Sequence, residues 1–148
     1  MVWKPNVTVA AVIEQDGKFL LVEEHTSDGI RFNQPAGHLE PNESLLQGVV
    51  REAMEETAYN FKPEWLLGIY RWPHPTKDVT YLRFAFAGSI QGHDAERPLD
   101  KGIIRASWMP LNEIRGEMQR HRSPLVLRCI EDYLAGARYP LDILTHYD

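Results

Sequence analysis

An α/β fold, built as an α/β/α sandwich on a mixed β-sheet, is what this sequence predicts, and three observations predict it. Runs rich in β-branched and aromatic residues recur along the chain, bounded by turn residues. Two other segments carry apolar residues at helical spacing. These two helices flank the second group of strands, an order that covers both faces of one sheet. With 148 residues and 17.1 kDa there is enough chain for one real core, so residues 1–148 are expected to form a single domain.

The elements follow in order. "NVTVAAVIEQ" and "KFLLVEEH" read as strands separated by Asp16-Gly17, a strong hairpin signal. "RFNQPAGHLEPNES" holds Pro35, Gly37 and Pro41 and is expected to be irregular or only briefly extended. Ser44 and Gln47 make a capping box that starts a helix over residues 45–57, with Leu46, Val49, Val50, Ala53 and Met54 as its core-facing arc. "WLLGIYRW" and "VTYLRFAFAGSI" are two further strands joined by the proline-rich "PHPTKD". Large residues on both faces of "YLRFAFA" mark a central, covered strand. "IIRASWMP" is a short strand, followed by a helical piece around residues 111–114. The closing helix starts at Ser123-Pro124, an N-cap and N1 pair, and stops at Gly136. Its apolar stripe is Leu125, Val126, Cys129, Ile130, Tyr133 and Leu134.

Composition narrows the function classes. A net charge of −5 argues against a nucleic-acid coat, while leaving small anionic substrates open. No apolar run reaches membrane-spanning length, and "MVWKPNVTVA" has no apolar core behind a basic start, so neither a membrane anchor nor a signal peptide is expected. Cys129 is the only cysteine, which excludes an internal disulfide and argues against a Cys-based zinc site. A cytoplasmic setting follows as the expectation. His25, His38, His74, His93 and His146 show no pairwise metal spacing.

The segment "REAMEET", residues 51–57, poses the sharpest question. Glu52, Glu55 and Glu56 share one helix face, and Glu52 and Glu56 repel across one turn at a cost of about 0.2–0.5 kcal/mol. Anions near a helix C-terminus also oppose its dipole. A sequence that breaks two local rules together points to function. Three readings compete: a solvated charged face, pairing with an arginine such as Arg51, Arg71 or Arg83, and a divalent cation held by hard oxygen donors. Gly48, one turn earlier, is expected to leave a notch beside the carboxylates.

From Gly37 the chain reads "GHLEPNESLLQGVVREAMEETAY", which resembles the Nudix box in long, fixed spacing: Gly37, Glu43, Arg51, Glu52, Ala53, Glu55, Glu56 and Tyr59 all occupy motif positions. Ala58 departs, standing where the family usually has the glycine that ends the helix; Asn60, which tolerates a left-handed conformation, is expected to serve as the stop. "NQPAGHLE", "LRFAF", "RSPLV" and "RYPL" extend the resemblance to the NudJ-type phosphatases among the Nudix hydrolases. The resemblance implies a Nudix-type α/β/α fold and Mg²⁺-dependent hydrolysis of nucleoside tri- and diphosphates, with thiamine-type pyrophosphates as a further class and orthophosphate as product. Mn²⁺ is expected to substitute.

By the same resemblance Glu52, Glu55, Glu56 and the carbonyl of Gly37 are metal ligands, and Arg51 pairs with Glu43 or another acid beside them. Glu52 is the first candidate for activating water and Asp100, otherwise a plain loop aspartate, the second. Candidate substrate contacts are Gln34 with its neighbour Asn33, Trp72 and Tyr81 as stacking surfaces with Phe32, and Arg122 from "QRHRS", which also holds Arg120 and His121. Arg138 and Tyr139 match the C-terminal motif. The alternatives are a pyrophosphatase for ADP-ribose or dinucleoside polyphosphates, and a non-catalytic Nudix domain binding a nucleotide or RNA. Monomer and homodimer both remain open.

Overall fold

In the computed structural model, which describes residues 1–147, seven strands and three α-helices alternate along the chain. The strands are β1 (Asn6–Gln15), β2 (Lys18–Thr26), β3 (Gly29–Asn33), β4 (Ala36–His38), β5 (Tyr59–Pro73), β6 (Thr80–His93) and β7 (Ile103–Pro110). The helices are α1 (Leu45–Thr57), α2 (Leu111–Gly116) and α3 (Leu125–Leu134). They make one sheet in the order β3-β2-β1-β6-β5, with β4 added to β1 and β7 to β2. The pair β1–β6 is parallel and the others antiparallel, so the sheet is mixed as expected.

Period-two alternation in the strands builds the two cores. Val9, Ala11 and Ile13 of β1 pack with Leu20, Phe61, Leu66 and Phe86 against Val49 and Ala53 of α1. Val12, Phe19, Leu21, Leu67 and Ala85 face the other way and pack against Val126, Cys129 and Ile130 of α3. One helix therefore covers each face. β6 is central, between β1 and β5.

Several local expectations need correcting. β5 begins at Tyr59, directly after α1, because Ala58 itself takes the left-handed conformation (φ 60, ψ 14) and donates its N–H to Met54 O at 2.9 Å. Asn60 is already strand, so it is not the helix stop. The face of α1 turned inward is centred on Val49, Glu52, Ala53 and Glu56, while Met54 is half-buried. Leu134 is exposed, because α3 ends there and Gly136 (φ 87) turns the chain away. The notch at Gly48 is filled: an added Cβ would meet Glu43 Oε1 at 3.0 Å and Leu39 at 3.4 Å. The capping box is present as expected, with Ser44 Oγ accepting from Gln47 N and Gln47 Oε1 from Ser44 N.

Candidate functional site

Helix α1 and the loop before it are locked together by Arg51. Its Nε and Nη2 donate to the two oxygens of Glu43 at 3.0 and 2.8 Å, and Nη2 also donates to His38 O at 3.1 Å. Nη1 donates to Glu52 Oε1 at 2.8 Å and Glu55 Oε1 at 2.9 Å. One guanidinium thus hydrogen-bonds three carboxylates and a carbonyl, with Glu40 Oε2 a fourth carboxylate at 3.4 Å, the fork geometry that lysine lacks. The hydrogen bond from Arg51 holds the Glu43 carboxyl below its ordinary range, and Glu43 in turn raises Arg51. Of the arginines offered as partners for the acids, Arg51 is one; Arg83 is engaged elsewhere.

Glu52 and Glu56 lie inward of this clamp. Glu56 Oε1 accepts the Ala36 N–H at 3.0 Å, and both residues are buried. Burial raises the Glu52 carboxyl despite its Arg51 bond. Burial pushes Glu56 up to about 9, and the charges of Glu24, Glu52 and Asp100 add to it. Gly37 is required where it stands, since a Cβ there would collide with the Glu52 carboxylate. This tight cradle, lined by hard oxygen donors that repel one another, fits a divalent cation. Among the described residues no three His, Cys, Asp or Glu side chains converge as a ready-made cage. Arg51 holds Glu52 and Glu55, and Ala36 holds Glu56.

These acids close one end of a cavity of about 430 Å³. Gly37, Glu52, Glu56 and Asp100 line it, as do Trp72, Tyr81 and Arg122. Asp100 is more than a plain loop residue: its N–H donates to Glu55 O at 2.9 Å, docking the loop on the end of α1 beside the acids. Glu55 does not line the cavity and is turned to Arg51. Trp72 and Tyr81 are register partners on β5 and β6 with near-parallel rings, 6.0 Å between centroids. Arg122 reaches the rim and pairs with Glu24 at 2.5 Å.

Other candidates fall elsewhere. Gln34 is fully buried and does not reach the cavity: its Nε2 donates to Val126 O at 2.7 Å and its Oε1 accepts from Arg83 at 2.8 Å, pinning α3 to the sheet. Phe32 lies under the Arg120 guanidinium, Arg120 pairs with Glu23, and His121 bonds Ile114 O. Arg138 stacks on Trp65, and Tyr139 pairs with Leu66 at the edge of β5, both outside this cavity. Sequence reasoning did not place Thr8, Glu24, Lys77 or Arg83 in the cleft, yet all line it. The alternation of β6 carried a signal for Arg83, a charge on a covered strand.

Among the described residues no helix is long and apolar enough to cross a membrane. The NUDIX domain model matches residues 3–129. The Phosphatase NudJ of Escherichia coli K12 is 38% identical over 146 residues, covering 99% of this chain and 94% of that protein. A solved NUDIX hydrolase from Nitrosomonas europaea superposes with a TM-score of 0.95 at 58% identity, covering 97% of this chain and 98% of the other. The NUDIX domain of Shewanella oneidensis NrtR, solved with ADP ribose, shares the fold at 20% identity and a TM-score of 0.73, covering 90% of this chain and 89% of the other. With the box residues gathered around one cleft and the family model spanning most of its length, the chain belongs to the Nudix hydrolases.

Proposed function

We propose that this enzyme is a Mg²⁺-dependent phosphatase that releases orthophosphate from nucleoside tri- and diphosphates and acts on thiamine-type pyrophosphates as a further class. One observation carries the reading: Glu52, Glu56 and Asp100 crowd one end of the cleft, with burial and mutual repulsion raising Glu56 to about 9. Acids placed so are stabilised by a cation, and a phosphate chain brings the charge that cation also screens. The similarity to the Phosphatase NudJ of Escherichia coli K12 supports phosphatase chemistry.

Glu52, Glu56 and the Gly37 carbonyl are assigned as ligands, with Glu55 joining them on release from Arg51. Bound there, Mg²⁺ or its substitute Mn²⁺ screens phosphate charge and lowers the pKa of water. Glu52, with Asp100 as second candidate, would accept the proton of the attacking water. Arg51 keeps the acids aligned and the Gly37 loop seated on α1. Trp72 and Tyr81 offer the organic end of the substrate an aromatic surface, and Arg122 meets its distal phosphates at the rim. We read residues 1–148 as one domain working in the cytoplasm, as monomer or homodimer.

The test follows products by ion exchange after incubation with ATP, GTP, thiamine diphosphate and ADP-ribose, with Mg²⁺ or chelator, for the wild type and Glu52→Gln. Stepwise orthophosphate release that chelator or Glu52→Gln cuts by about 100-fold or more is expected. Cleavage of ADP-ribose alone would replace the substrate class. Turnover untouched by chelator would overturn the metal assignment.

A further inference from the structure

The turn between β5 and β6 carries a lysine into the lining of the cleft. Trp72 and Tyr81 are register partners on the two strands, and just beyond them the His74 N–H donates to Val79 O at 2.8 Å. The His74 ring, tilted against Trp72 with 5.4 Å between centroids, accepts two backbone donors at Nδ1: Thr76 N and Lys77 N, each at 3.1 Å. Val79 N donates to Lys77 O at 2.8 Å. Both backbone groups of Lys77 are thus bonded inside a turn that is itself seated on the aromatic surface. The long stem beyond that backbone keeps its rotational freedom.

At the end of that stem Nζ donates to Ser27 Oγ at 3.1 Å, on the turn between β2 and β3. Among the described residues the ammonium forms no ion pair, Asp78 beside it and Asp28 beside Ser27 included. Two arginines also line the cleft, and both are committed. Arg122 pairs with Glu24 at 2.5 Å. Arg83 is only 6% exposed and donates to Gln34 Oε1 at 2.8 Å and Asn33 Oδ1 at 3.0 Å. A phosphate that draws Arg122 away leaves Glu24 unpaired in a cleft that Glu52, Glu56 and Asp100 already make negative. A phosphate that draws Lys77 displaces only a neutral hydroxyl, and the charge-assisted bond is the stronger of the two.

We infer that Lys77 is a further substrate-binding residue: its ammonium leaves Ser27 and takes a phosphate oxygen of the bound substrate. The move needs only rotation of the stem, because the turn holds the backbone in place. An ammonium is a point charge with no fork geometry to satisfy, so the contact serves nucleotides and thiamine-type pyrophosphates alike and grows with phosphate charge. Arg122 adds to it once its bond to Glu24 opens. His74 and Lys77 continue directly from Trp72, so one hairpin supplies both the stacking surface for the organic group and the attraction for the phosphate.

The inference rests on the cleft taking phosphorylated substrates, and its test reads binding rather than turnover. Calorimetric titration in Mg²⁺ uses adenosine, AMP and α,β-methylene-ADP, whose bridging carbon resists hydrolysis. It compares the wild type with Lys77→Gln, Lys77→Arg and Ser27→Ala. Lys77 and Ser27 are both exposed, so these substitutions leave the core intact. Lys77→Gln should weaken α,β-methylene-ADP about tenfold and AMP by a smaller factor, with adenosine within about twofold of the wild type. Lys77→Arg should bind the analogue within about threefold of the wild type, because the charge is kept. Ser27→Ala should bind it at least as tightly as the wild type, since the ammonium no longer has a hydroxyl to leave. A Ser27→Ala loss equal to that of Lys77→Gln makes the pair a strap between two turns and overturns the assignment. So does a Lys77→Gln loss as large for adenosine as for the analogue. Unchanged affinity in Lys77→Gln overturns it too, and leaves the proposed function standing if the wild type still favours the analogue over adenosine. A wild type that binds the analogue no tighter than adenosine overturns both.

Discussion

On the α1 wall of the cleft the charged groups are crowded and mutually compensated. Arg51 spans Glu43, Glu52 and Glu55, and the Ala36 N–H holds Glu56. On the β5–β6 wall Arg83 donates to the neutral oxygens of Gln34 and Asn33, and Trp72 and Tyr81 offer ring surface. The first arrangement suits high charge held at fixed positions, as needed where bonds break. The second suits contact with a flat organic group, which stacking accepts without demanding one ring edge. The two walls belong to different faces of the sheet and pack on different helices.

The largest effect that sharpens this comparison is expected at Gly37. Gly37→Ala drives a methyl group into the Glu52 carboxylate while leaving the backbone conformation accessible. Misplacing a catalytic group by about 1 Å costs on the order of 100-fold, so kcat/KM should fall by that factor with the melting temperature nearly unchanged. Gly92→Ala, where an added Cβ meets nothing, is the control. Wild-type turnover in Gly37→Ala would show that the position of Glu52 does not set the rate.

Next in size is the pH dependence of stability. Glu56 ionises near 4.5 when unfolded and is raised to about 9 when folded, so between these values the folded chain binds more protons. Stability of the metal-free protein should therefore fall as pH rises from about 5 to 9; Glu52, raised for the same reason of burial, adds to the slope. Glu43, lowered by Arg51, acts in the opposite sense only below its ordinary range and leaves this window alone. With Mg²⁺ held between the acids as proposed, the curve should flatten, read as melting temperature against pH with and without the ion. A flat curve in chelator would mean that the acids are already compensated.

How the two walls were legible follows from chain distance. Glu52, Glu55, Glu56, Arg51 and Gly37 lie within 20 residues, so helical spacing and one motif brought them into view together. Strand alternation likewise made both sheet faces and both covering helices readable, down to the Ser44–Gln47 box. The second wall joins Asn33 to Arg83 across 50 residues, a contact made by the β1–β6 register, which local periodicity does not encode. The same limit misplaced Gln34: its destination is Val126 O, 92 residues away on α3. Asp100 donates its N–H to Glu55 O across 45 residues of chain, a docking that local periodicity does not encode.

The smallest expected effect concerns Ala58, where the box departs from its usual glycine. The left-handed conformation it holds costs a non-glycine residue roughly 1–2 kcal/mol. Ala58 is also 2% exposed, so its methyl group returns about 0.8 kcal/mol by burial. Ala58→Gly removes both, for a net gain of about 0.5 kcal/mol less whatever backbone freedom the glycine restores to the unfolded chain. The expected result is a shift in melting temperature of no more than about 2–3 °C upward, with kcat/KM unchanged. A loss of several degrees would mean that the buried methyl outweighs the strain, making alanine the better residue here because its packing against the sheet exceeds the conformational cost of the helix stop.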